Sequence, residues 1–244
     1  MKPLRWLFVL AALLATALLL VATSASADNG NASPTLSFFS GGDGANAHWV
    51  NTADQPPGDT DNQAIQLQTT NDALTFSKGY AGILVHHVTG IPAAAFPDSE
   101  FWVKATNYSG ASLGSPRLVV EFQDTAGNFV GDGQLRPLTL TSTRQDVNDQ
   151  AAYPNSGWDV SGGTCGFLYN VKWQDVQSCF AGDTVLSVFI VADAYGINHL
   201  IDDITVDGKR FSNASDNGGG NNTQAGPAAT TDPSLLPPNL LALL

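Results

Sequence analysis

Between Asp28 and Phe211 the apolar residues fall in short runs cut by Gly, Pro, Asn and Asp, and no helical period survives beyond a turn or two. That spacing is the pattern of an all-β domain. It predicts strands over 35–39, 64–69, 73–77, 82–88, 99–106, 117–123, 135–141, 167–173, 184–192 and 199–206. Within 117–123, Leu118, Val120 and Phe122 share one face while Val119, Glu121 and Gln123 share the other, the period of two expected of a sheet with one buried side. Phe101, Val103 and Ala105 alternate in the same way against Trp102 and Lys104. The run 185–192 is apolar on both faces, so it is expected inside a sheet rather than at its edge.

The flanks have a different character. Lys2 and Arg5 precede the Leu, Ala and Val run 7–21, and Ala25-Ser26-Ala27 supplies the small residues of a cleavage site, so 1–27 reads as a secretory signal peptide. The apolar run of about 15 residues is short for the roughly 20 that span a bilayer, so no membrane span is expected in the mature chain. From Ser212 to Leu244 there is no basic and no aromatic residue, and Gly, Asn, Thr and Pro dominate. Such a stretch is expected to be a disordered low-complexity tail, closed by a short apolar end at 239–244 with no evident purpose. The expected organisation is therefore a signal peptide (1–27), one β-sandwich domain (28–211) and a flexible tail (212–244).

Composition sharpens this picture. The 244 residues hold 10 Lys+Arg against 22 Asp+Glu, a formal charge of −12 that becomes −14 once Lys2 and Arg5 leave with the signal peptide. With no basic cluster, nucleic acid and anionic membranes are excluded as electrostatic partners. The 24 Gly, single Met and two Glu argue against a helical bundle. Cys165 and Cys179 are the only cysteines, and in a secreted chain they are expected to form a disulfide. Catalysis has little support. A glycosidase needs two facing carboxylates, and the only Glu residues, Glu100 and Glu121, lie on separate predicted strands. Glu121, on the non-core face of its strand, is the better acid candidate, but an exposed strand Glu is ordinarily solvated. His86 and His87 are adjacent in a strand and point to opposite faces, which suits no shared metal.

Two ends of the domain carry a resemblance. Phe38-Phe39-Ser40-Gly41 with Trp49, the strand Ala64-Ile65-Gln66-Leu67, and the closing Ile201-Asp202-Asp203-Ile204-Thr205-Val206 are similar to the β-jelly-roll carbohydrate-binding modules of the galactose-binding-like fold group. The resemblance implies an all-β, single β-sandwich (jelly-roll) domain that binds a neutral extracellular or cell-wall polysaccharide without catalysis. It also implies a structural Ca²⁺ in which the first acid of the closing pair takes part. Alternation sets Asp202 on the face of Leu200, Ile204 and Val206, expected to be the core side, and a carboxylate there must be paired or bound to a cation. Ca²⁺ takes six to eight oxygens, and Asp43, Asn46 and the backbone carbonyls of 41–44 are the expected co-ligands.

A sugar site needs flat aromatic rings. Trp102 should lie on the non-core face of its strand, Trp158 in a loop-rich stretch and Trp173 within the disulfide loop. With Tyr108 they form the expected ligand set, with Asn107 and Asn170 as polar neighbours, and Trp49 is assigned to the core. Two other classes stay open: a structural or adhesive surface protein that binds protein partners, and a secreted hydrolase or lyase. Burial of Trp102 would favour the adhesive reading, and turnover lost in Glu121→Gln or Glu100→Gln would favour the enzyme.

Overall fold

In the computed structural model the described residues are 32–42, 44–56, 58–69, 79–107, 116–135, 146–147, 157–193, 198–217, 236–237 and 239–240. They form strands β1 (Thr35–Gly41), β2 (Asn46–Asn51), β3 (Gln63–Gln68), β4 (Tyr80–His86), β5 (Glu100–Asn107), β6 (Arg117–Gln123), β7 (Phe129–Leu135), β8 (Asp146–Val147), β9 (Trp158–Gly162) and β10 (Gly166–Val171). A short helix α1 (Trp173–Cys179) follows, then β11 (Thr184–Ala192), β12 (Asn198–Val206) and β13 (Lys209–Phe211). A seven-stranded sheet in the order β1-β4-β11-β6-β7-β9-β10 faces a second sheet in the order β2-β3-β12-β5-β8, with β13 added to β12. All pairings are antiparallel. This is the expected all-β jelly-roll sandwich.

The core is made where the alternating strands of both sheets point inward. Phe38, Ile83, Val120, Phe122 and Ile190 come from one sheet, and Trp49, Ile65, Phe101, Val103 and Ile201 from the other. Trp49 is in the core as expected. β11 runs between β4 and β6 as expected, with Val188 and Ile190 in the core and Phe189 and Val191 buried in a second cluster on the outer face. In β6 the expectation of one buried side is corrected: Val119 and Glu121, on the outer face, are as buried as Leu118 and Val120. Something other than water covers that face.

Five strands escaped the hydrophobic pattern, β2, β7, β9 and the short β8 and β13. In β7 the sequence FVGDGQL reads as a turn. Its glycines serve close approach: Gly131 pairs with Gly162 of β9, and a Cβ on Gly131, whose φ is 149°, would sit 2.2 Å from the Ser161 carbonyl oxygen. The predicted strand 167–173 ends at Val171, and Trp173 instead opens α1, where Asp175 accepts a hydrogen bond from the Lys172 backbone N–H at 3.1 Å. The predicted strand 73–77 and most of 135–141 lie outside the described residues. The expected disulfide is present. Cys165, in the β9–β10 turn, is joined to Cys179 at the end of α1, with their Cα atoms 5.3 Å apart.

Candidate functional site

The tryptophans expected to hold a ligand are buried. Trp158 and Trp173 pack at a tilt of 47° with centroids 4.6 Å apart inside the sandwich, beside Phe96 and Phe122. Their indole N–H groups are satisfied internally, Trp173 donating to the Phe96 carbonyl at 3.0 Å and Trp158 to Asp98 Oδ1 at 3.2 Å. Burial pushes the Asp98 carboxyl up to about 7, against opposing hydrogen bonds from the Ser99 amide and Trp158. Trp102 does lie on the outer face of its sheet, but it is only 1% exposed, packed with Ala64, Leu200 and Val50. The loop 52–62 reaches over this part of the sheet: its Asp54 accepts from Lys104 Nζ at 2.7 Å, two residues along β5 from Trp102. None of the three rings can stack on a sugar. Tyr108 and Asp43 lie outside the described residues.

Asp202 also differs from expectation, for a reason rooted in β12. Asp202 pairs with Trp102 and so shares its outer face. The ladder shifts between Asp202 and Thr205, and Asp203 has a left-handed backbone, φ 49°. That bulge resets the alternation, so Ile204 and Val206 return to the core while Asp202 does not. Register moves the partner loop as well. Asn46 aligns through Gln68 with Asn198, whereas Trp49 aligns through Ile65 with Ile201. The expected co-ligand Asn46 therefore sits about four residues, roughly 13 Å, along the strand from Asp202.

The loop beside Asp202 is 52–62, and it brings carboxylates of its own. One oxygen each from Asp59, Asp202 and Asp203 lie within 4.8 Å of one another. Asp202 is 0% exposed. Its Oδ1 accepts from the Asp203 N–H at 2.7 Å, and its Oδ2 has no hydrogen-bond partner. Burial, then the charges of Asp203, Asp59 and Asp61, push its carboxyl up to about 8. Burial likewise raises Asp203, although Arg210 Nε donates to its Oδ1 at 2.8 Å and Nη2 to the same atom. Arg210 also reaches Asp59 Oδ2 at 3.4 Å. Asp61 is held by Gln55 and the Gln63 amide, with its Oδ2 buried and unpartnered. One guanidinium thus faces four carboxylates. An orphaned, fully buried carboxylate oxygen within an oxygen-only set about 5 Å across fits a hard divalent cation such as Ca²⁺.

A second feature was missed by the sequence reading. Paired residues in a sheet share a face, so the ladders carry one row of side chains across the outer face of the seven-stranded sheet: Ser187 (β11), Glu121 (β6), Asp132 (β7), Ser161 (β9) and Phe167 (β10). At its β10 end the row is open. Phe167 and Tyr169 are 71% and 72% exposed, and alternation puts them on the same side of this edge strand. Beside them two residues, Tyr169 and Asn170, oppose the single Asp159, and the Asn170 N–H donates to Asp159 Oδ1 at 3.0 Å. Toward β6 and β11 the row is closed. Glu121 and Asp132 are buried, Ser187 Oγ donates to Glu121 Oε2 at 2.5 Å, and burial raises the Glu121 carboxyl. The signal for the exposed pair lies in the alternation Phe167-Leu168-Tyr169.

No protein-family model matches the chain, and no curated protein matches it. Among solved structures, that of an arabinose-bound MgGH51 α-L-arabinofuranosidase is similar, with a TM-score of 0.33 and 11% identity over 72% of this chain. The chain spans 24% of that enzyme's length. A likeness this distant carries neither fold detail nor substrate across. Among the described residues no helix is long and apolar enough to cross a membrane.

Proposed function

We propose that the chain is an exported, non-catalytic carbohydrate-binding β-sandwich. Its site would be the β9–β10 end of the seven-stranded sheet's outer face, and Asp59, Asp202 and Asp203 would hold a structural Ca²⁺. The observation that carries this reading is the pair Phe167 and Tyr169, two rings left in water on one side of an edge strand. Exposed aromatic area is costly, at about 25 cal/mol per Å², and the apolar face of a pyranose recovers that cost by stacking. Asp159, Ser161 and Asn170 flank the rings and suit sugar hydroxyls. A net charge of −14 without the first 27 residues repels polyanions and favours a neutral glycan. Ca²⁺ would tie β12 to loop 52–62, a structural task remote from the rings.

Burial of Trp102 favours the adhesive alternative, and that alternative draws on the same edge, since β10 ends its sheet and could accept a partner strand. The bulge at Tyr169 and Asn170 breaks the regular ladder there, which favours the glycan. Affinity electrophoresis through a panel of neutral polysaccharides tests the reading. Retardation of the parent chain that disappears in Phe167→Ala supports it. No retardation at any neutral polysaccharide, or retardation indifferent to Phe167 and Tyr169, overturns it in favour of a protein partner.

A further inference from the structure

The closed half of the row on the outer face is covered by the chain's own C-terminal end. Leu240 is fully buried in a cluster with Phe39, Val119, Phe189 and Val191, and Leu236 packs against the same cluster. Asn239 lies over Glu121, and hydrogen bonding from its side chain and backbone favours the charged form. The fit is good for the leucines and incomplete for the polar floor. Glu121 Oε1 and Asn239 Nδ2 are both buried without a well-formed hydrogen bond. Such under-satisfied groups cost about 1 to 3 kcal/mol each, so the segment complements the carboxylates beneath it only in part. Hydroxyl groups would complete the match.

We infer that Leu236, Pro237, Asn239 and Leu240 form a displaceable strap lying in the second half of the glycan groove, and that Glu121, Asp132 and Ser187 receive further sugar hydroxyls when it leaves. This rests on the outer-face reading above. The row is continuous: from Ser187 to Phe167 it crosses five strands, about 19 Å at 4.8 Å per strand, long enough for several sugar units. The strap is tethered, so it competes with ligand at a high effective concentration and sets a threshold for long chains over short ones.

The test uses the whole chain and the neutral oligosaccharide that performs best in the screen. In the parent, saturating ligand is expected to speed hydrogen exchange at the Leu240 N–H, which donates to the Pro237 carbonyl at 3.1 Å. The double variant Leu236→Asp/Leu240→Asp is expected to bind a long oligosaccharide at least fivefold more tightly than the parent. Adding Glu121→Gln is expected to cancel that gain, while Phe167→Ala removes binding with or without the strap. If the parent binds but Leu240 exchange does not change with ligand, the strap inference is overturned and the β9–β10 site stands. Should the double variant misfold, that exchange measurement on the parent decides alone. If neither parent nor variant binds any neutral glycan, the outer-face reading itself has failed and the inference falls with it.

Discussion

Asp202 and Asp203 are neighbours in a strand, yet their carboxylates converge. Strand geometry sends consecutive side chains to opposite faces, and the left-handed backbone at Asp203 cancels that rule over one residue. Both acids thereby meet Asp59 of the loop above. Arg210 offsets only part of this negative charge, and the raised Asp202 carboxyl expresses the excess.

Ca²⁺ should therefore reverse the sign of one substitution. In excess chelator at neutral pH, Asp202→Asn is expected to raise the melting temperature, because it removes a buried carboxyl that must take up a proton on folding beside Asp203, Asp59 and Asp61. In millimolar Ca²⁺ the same variant should melt below the parent, which gains about 2.7 kcal/mol when the ion stands at 100 times its Kd. Thermal melts in both conditions check this. A parent melt indifferent to Ca²⁺ removes the cation from the account.

Trp102 is a stability residue. Its ring is buried with Ala64, Leu200 and Val50 on the outer face of its sheet, so Trp102→Ala should cost about 3 to 5 kcal/mol in urea unfolding. Phe167→Ala, at an exposed edge, should stay within about 0.5 kcal/mol of the parent. Equal losses in the two variants would mean that the exposure assigned to Phe167 is wrong.

These two rings show what the alternation could and could not reveal. Parity correctly put Trp102 on the outer face, but its burial there with Ala64, Leu200 and Val50, and the nearby contact of Lys104 with Asp54, 50 residues away, are long-range features no local pattern contains. Strand β6 was legible because its side chains keep a period of two, β11 because it is a continuous apolar run, and the disulfide because two cysteines have one partner each. Asp202 was misplaced because a bulge leaves no mark in hydropathy, and β7 was missed because glycines chosen for close strand approach look like turns. The apolar end at Leu240 was visible, and its docking surface was not, since Phe39, Val119, Phe189 and Val191 come from three distant strands.

Asp98 supplies a pH dependence. Its carboxyl stands near 7 in the folded chain against about 3.9 unfolded, so the native state holds the extra proton between these values. Stability from this group is fully present below pH 4 and is lost as pH rises through 7. Asp98→Asn should flatten the melting temperature over pH 4 to 7 relative to the parent. An unchanged slope would show that Asp98 is not protonated in that window.

The disulfide closes a loop of 14 residues' separation and should contribute about 3 kcal/mol through the unfolded state. Cys165→Ser/Cys179→Ser is expected to lower urea stability by that order while leaving glycan retention intact at a temperature where the variant is folded. Lost retention in a folded variant would mean that the β9–β10 turn shapes the site more directly.

The central claim is that the exposed rings of β10 grip a neutral glycan, and isothermal titration of the parent against Phe167→Ala/Tyr169→Ala tests it most directly. The account predicts parent binding on the order of 10 µM to 1 mM, little changed between low and high salt, with no detectable heat in the double variant and an unaltered melt. Parent and double variant titrating alike, or binding that weakens steeply with salt, would contradict it.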